Sequence, residues 1–186
     1  MATDSEQKKQ RQNQITGIIN IFIGIIVLFC FVLVAIYFPF PKLHLPTLLD
    51  RVVFTLRCLV VSVLAIVAGI MSVGTIRFLS AAINPLDPSG KKFTEQYQNY
   101  LQNTVEQFLC HSFSILALST YLSEEKMHMI PLLIALFAVG RALFFVGYSI
   151  HPLYRGVGFV LTFYPIIAVS GYSLYCIYVY GVQAPQ

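Results

Sequence analysis

From Ile15 to Phe38 the chain runs for 24 residues without one charged side chain. A helix rises about 1.5 Å per residue, so about 20 apolar residues cross a hydrocarbon core about 30 Å thick. The stretch therefore reads as a transmembrane helix. A cleavable secretory signal has an apolar core of only about 7–15 residues followed by small residues, and Phe38-Pro39-Phe40-Pro41 offers neither. Four further apolar stretches follow, Val52 to about Ile83, Leu101 to Leu122, Ile130 to Ile150 and Val157 to Val182, each long enough to cross. The expected organisation is a polar tail over 1–14, a membrane helix over 15–38, and a four-helix membrane unit over 52–182. That is five spans of an all-α integral membrane protein.

Composition excludes the water-soluble alternative. Of 186 residues 57% are hydrophobic and 11% charged, against roughly 45–50% and about 25% in soluble domains. The net charge of +4 comes from scattered Lys and Arg, with no basic stripe interleaved with aromatics, so nucleic acid is not an expected partner. Cys30, Cys58, Cys110 and Cys176 all lie in apolar runs, where a free thiol behaves as a small hydrophobe. Neither a disulfide framework nor a metal site is implied by their spacing. The breaks between spans carry Pro39, Pro41 and Pro46, then Asn84-Pro85-Leu86-Asp87-Pro88-Ser89-Gly90, then Ser123-Glu124-Glu125, then His151-Pro152.

Lys and Arg set membrane orientation. One side collects Lys8, Lys9, Arg11, Arg77, Lys91, Lys92 and Arg155, the other Lys42, Arg51, Arg57 and Lys126. The N-terminus is expected in the cytosol and the C-terminus in the lumen or outside.

Ionisable groups inside a bilayer cost roughly 2.5–3.5 kcal/mol on insertion scales and need a partner or a wet cavity. Two stand out, Glu106 in the third span and Arg141 in the fourth. Across a short turn their depths differ by roughly 6 Å at the helical rise, so a Glu106–Arg141 ion pair is the natural expectation. Asn99, Asn103, Glu106 and Cys110 share one helix face, bordered by Gln102, and Arg141, Phe144 and Tyr148 share another. Such residues either tie helices together, worth roughly 0.6–2 kcal/mol each, or build a ligand site. In the second case Arg77, Arg141 and Arg155 converge at the cytosolic boundary on an anionic ligand, with Tyr148 adding a hydroxyl. A guanidinium there favours the thiolate of a thiol ligand such as glutathione.

At this point the residues resemble the MAPEG superfamily, the membrane-associated proteins in eicosanoid and glutathione metabolism. The resemblance rests on Gly74-Thr-Ile-Arg77 leading into Asn84-Pro85-Leu86-Asp87, on Asn103-Thr-Val-Glu106, and on Gly140-Arg141, Gly147-Tyr148, Arg155 and Phe159. The strings Leu101-Gln-Asn-Thr-Val-Glu-Gln107 and Pro152-Leu-Tyr-Arg-Gly-Val-Gly-Phe159 look closer to its mattrin-like branch than to the microsomal glutathione transferases or leukotriene synthases. The resemblance implies a MAPEG-type four-helix bundle, here with one extra N-terminal transmembrane helix. It also implies a homotrimer with glutathione, where bound, held between subunits on the cytosolic side. Carried over, Arg77, Asn103, Glu106, Arg141, Tyr148 and Arg155 are the glutathione-site positions, and Arg155 and Tyr148 the catalytic pair in an enzyme. Asn99 and Gln102 stand where glutathione-using members keep arginines, and Phe144 and Phe159 where some keep a polar or phenolic group.

Three functions follow as alternatives. One is a non-catalytic or weakly catalytic regulator that acts through lipids or membrane-protein partners, in trafficking or turnover at the endoplasmic reticulum or another secretory membrane. Another is a glutathione-dependent transferase or peroxidase for hydrophobic electrophiles or lipid hydroperoxides. The weakest is a transporter or channel, for which one Glu and one Arg leave little to conduct with.

Overall fold

The computed structural model describes residues 4–41, 43–84 and 90–181. Lys42 of the charge count, residues 85–89 of the second break and the last residue of the 52–182 unit lie outside them. Five long helices follow in order: α1 (Asp4–Tyr37), α2 (Leu48–Leu79), α3 (Lys91–Tyr121), α4 (Met129–Ile150) and α5 (Gly156–Tyr180). One-turn 3-10 helices at Ala81–Ile83, Glu124–Lys126 and Pro152–Arg155 punctuate the connections, and no strand occurs among the described residues.

The helices overrun the apolar stretches. The polar tail is helical from Asp4, because Glu, Gln, Lys and Arg are good helix formers and acidic Asp4 and Glu6 suit the positive N-terminal end of the dipole. Helix α3 likewise begins at Lys91, ten residues before its apolar stretch. Helix α2 starts at a capping box. The Thr47 hydroxyl accepts from the Asp50 backbone N–H, and the Asp50 carboxylate accepts from the Thr47 backbone.

Helices α1, α2, α4 and α5 are long and apolar enough to cross a membrane. Helix α3, expected from the sequence as the remaining crossing, is too polar to qualify on composition. It nonetheless lies in the bundle, packed chiefly on α2 and α5 and, less extensively, on α4. Its polar residues explain the difference: Thr104, Gln107, His111 and Ser119 are buried between helices. Large apolar side chains such as Phe22, Ile26 and Phe29 on α1 and Leu56, Val60 and Leu64 on α2 are exposed instead, as suits faces whose solvent is lipid.

The apolar core gathers at the end of the bundle that holds the α3–α4 turn. Leu59, Ile115, Leu118, Leu122, Met127, Ile130 and Ile134 pack together there. Glu124 ties that end to the α1–α2 connection by accepting from the Leu45 backbone N–H (2.8 Å) and pairing with His44 (3.1 Å). Helices α4 and α5 cross closely at Gly140 and Gly158. A Cβ on Gly158 would lie 2.3 Å from the Phe144 backbone nitrogen, and one on Gly140 would lie 2.7 Å from the Thr162 methyl. That approach places α5 beside Arg141. Helix α1 is not a detached anchor: it lies along α5, with Asn20 buried and Gly24 against Val160. All four cysteines are free; Cys176 is buried, whereas Cys30 and Cys110 sit on exposed faces.

Candidate functional site

Opposite the core end, the first part of α3 faces the junction of α4 and α5. Helical spacing puts Asn99, Gln102, Asn103 and Glu106 on that side, and the 3-10 turn started by Pro152 swings Arg155 across from them. Together they border a cavity of about 480 Å³, with Phe144, Leu153, Gly156 and Phe159 as its apolar part. Gly17 and Ile21 of α1 complete the wall. The size falls within the range of about 300–1,000 Å³ typical of small-molecule sites.

The two charges picked from the sequence do not meet. Arg141 is wholly buried, but its Nη1 donates to the Asn103 side-chain oxygen (2.9 Å) and its Nη2 to the Thr162 hydroxyl (2.7 Å). The guanidinium lies over the Phe144 ring at 4.6 Å and the Phe137 ring at 5.9 Å, where the ring quadrupole supports the cation. Its Nε has no partner among the described residues. Glu106 is exposed toward the cavity and accepts from Gln102 Nε2 (3.1 Å). The expected ion pair is thus replaced by neutral acceptors. Burying a carboxylate beside Arg141 would add a second desolvation cost, which an amide oxygen and a hydroxyl avoid.

The three arginines do not converge within one chain either. Arg155 borders the cavity, Arg141 is enclosed, and Arg77 stands exposed at the end of α2, outside the cavity lining. Arg155 lies over the Tyr148 ring at 5.2 Å. Tyr148 is held by the start of α3: Gln96 Nε2 donates to its backbone carbonyl (2.8 Å) and Asn99 Nδ2 to its hydroxyl (3.4 Å). Among the described residues the cavity's charged and amide side chains are therefore one guanidinium, one carboxylate and three amides.

Sequence reasoning missed Thr162, Gln96 and the contribution of α1. Thr162 was the findable one, a lone aliphatic hydroxyl in the apolar first half of α5, four residues after Gly158. Gly17 and Ile21 carry no chemical signal and become visible only once α1 is docked. His111, adjacent to Cys110 in sequence, stacks on Phe137 (4.3 Å) with Nε2 3.3 Å from the Ser62 hydroxyl. No cluster of His, Cys, Asp and Glu suited to a metal ion occurs among the described residues.

Comparison with known proteins agrees with the residue pattern. The MAPEG family profile matches residues 52–175, the part of the chain that starts at α2. Transmembrane protein 79 of Mus musculus and that of Bos taurus are each 32% identical over 143 residues, which is 77% of this chain and 36% of theirs. The chain thus spans little more than a third of the length of these curated relatives. No solved structure matches significantly. On the extent of the profile match, which covers well over half of the chain, the chain belongs to the MAPEG family.

Proposed function

We propose that this membrane protein holds a small zwitterionic thiol peptide of the glutathione class in the α1–α3–α4–α5 cavity. It acts as a non-catalytic or weakly catalytic regulator, through lipids or membrane-protein partners in secretory-pathway membranes. Arg155 would take a ligand carboxylate, Glu106 an ammonium group, and Asn99, Gln102 and Asn103 the peptide amides. One observation carries the preference for binding over turnover: among the described residues Arg155 is the only guanidinium on the cavity wall. Glutathione brings two carboxylates and a thiol, and a single cation cannot both clamp a carboxylate and stabilise a thiolate. Glutathione supplies a nucleophilic thiol wherever it is bound and ionised. In this chain the residues arranged around it bind and orient it.

The transferase or peroxidase reading draws support from Arg77, exposed at the same end of the bundle. In a homotrimer, which family membership suggests, Arg77 of a neighbouring copy could supply the missing cation. Rapid turnover of a model electrophile, lost in Arg77→Ala with glutathione binding retained, would establish that reading in place of the first.

Thermal unfolding of the full chain in detergent tests the site. A ligand at 100 times its Kd adds about 2.7 kcal/mol, so millimolar glutathione should raise the Tm. Gly17→Phe sharpens the test, because a Cβ at Gly17 meets no atom within 4 Å and the position borders the cavity. The ring fills the site, while loss of a helical glycine costs no stability. The glutathione shift should vanish in Gly17→Phe and in Arg155→Gln and persist in Lys92→Gln. An unshifted Tm in the parent chain would reject the assignment.

A further inference from the structure

A second, larger space lies at the other end of the bundle. Helix α1 touches α5 tightly where Gly24 meets Val160, and beyond that contact a groove of about 830 Å³ is bordered by α1, α4 and α5. Phe31, Ala35, Leu132, Leu136 and Ala168 are among its apolar walls. From Met129 to Leu136 along α4 it runs roughly 11 Å at the helical rise. Its mouth carries Lys126 and His128, and the Tyr164 and Tyr172 side chains border α5's side.

The charges around the mouth are unequally engaged. Glu124 is taken by His44 and the Leu45 N–H, and Arg51 donates to the Leu122 carbonyl. His128 stacks on Phe40 (5.3 Å), with its Nδ1 2.9 Å from the Glu125 backbone oxygen. The Glu125 carboxylate is exposed and lies in the same turn as Lys126. The Lys126 ammonium is exposed and makes no ion pair or side-chain hydrogen bond among the described residues. An unpaired ammonium above an apolar slot, at the end of helices that cross a membrane, matches an amphiphile with a phosphate at the boundary and acyl chains below it.

We propose that the groove is a specific glycerophospholipid site, in which Lys126 engages the phosphate and the α1–α4–α5 slot holds an acyl chain. The site is separate from the cavity at Arg155 and does not depend on what that cavity binds.

Native mass spectrometry of the full chain released from detergent provides the test. The probes are palmitoyl-oleoyl phosphatidylglycerol and the diacylglycerol with the same chains. The phospholipid should give a one-to-one adduct at concentrations at least ten-fold below those at which diacylglycerol does. Lys126→Gln should weaken the adduct about ten-fold. Ala168→Phe, at an exposed position of the groove wall, should remove it, while circular dichroism reports an unchanged helix content. Lys92→Gln, at the opposite end, should leave it intact. Equal retention of diacylglycerol, an adduct unaffected by Ala168→Phe, or oligomers that exclude a lipid retained by the monomer would overturn the assignment. The last result would give the groove to a second copy of the chain.

Discussion

The cavity at Arg155 and the groove at Lys126 share three walls, α1, α4 and α5, yet one mixes polar with apolar groups and the other is almost wholly apolar. Helix α3 makes the difference. Its first half gives the cavity Asn99, Gln102, Asn103 and Glu106, whereas its last turn and the residue that caps it give the groove Leu118 and Leu122. Between the two lies the contact of Gly24 with Val160. The polarity gradient of one helix thus decides which end of the bundle suits a charged peptide and which a lipid chain, and a close approach of α1 to α5 keeps them apart.

The largest effect that can challenge this division is expected at Arg141. Its two hydrogen bonds join α3, α4 and α5 behind the cavity, so the residue belongs to the frame and not to the lining. Arg141→Ala removes both bonds and leaves Asn103 and Thr162 short of a donor. With charge-assisted bonds worth roughly 1.5–3 kcal/mol each, a loss of about 3 kcal/mol or more is expected in reversible unfolding. Arg141→Ala that keeps its stability but loses glutathione binding would move Arg141 from frame to site.

Gly24→Leu comes next and attacks the waist. A Cβ there would lie 2.8 Å from the Val160 Cβ and 3.3 Å from the Val157 carbonyl oxygen, so the longer side chain must push α1 away from α5. Overpacking of this kind costs about 1–3 kcal/mol. Because α1 walls both spaces, the variant should weaken glutathione at one end and phospholipid at the other. A variant that impairs one ligand alone would show that the waist does not set both volumes.

The sequence made the frame legible more fully than the site. Long charge-free stretches force membrane helices whatever their partners, and the profile match over residues 52–175 confirms the family suggested by Asn103, Glu106, Arg141 and Arg155. The pairing inside the bundle was less legible, because periodicity gives a residue's direction from its own helix axis but not the rotation of neighbouring helices. Glu106 and Asn103 are one turn apart on α3. That small difference in phase gives Arg141 to the neutral residue and leaves the carboxylate on the cavity. The docking of α1 was illegible for another reason: Asn20 lies against Gly156 and Gly24 against Val160, while Gly17 and Ile21 wall the cavity, and three of these four look like ordinary membrane-helix filler.

The smallest effects are expected from Glu106 and from the coupling between Arg155 and Lys126. Glu106→Gln should change stability by no more than about 0.5 kcal/mol, since among the described residues its carboxylate accepts from the exposed Gln102 alone, while lowering glutathione affinity if the carboxylate holds the ammonium. The final expectation is an absence of coupling. Arg155 and Tyr172, near the groove mouth, are 17 residues apart on the α5 side, about 25 Å at the helical rise. Sites so far apart with no shared partner add to within roughly 0.3–0.5 kcal/mol. In Arg155→Gln, Lys126→Gln and the double variant, each ligand's affinity should therefore respond to its own substitution alone. An interaction energy above 1 kcal/mol would mean that α1 moves as a rigid lever about Gly24, so that filling one space reshapes the other and lipid and peptide control each other's binding.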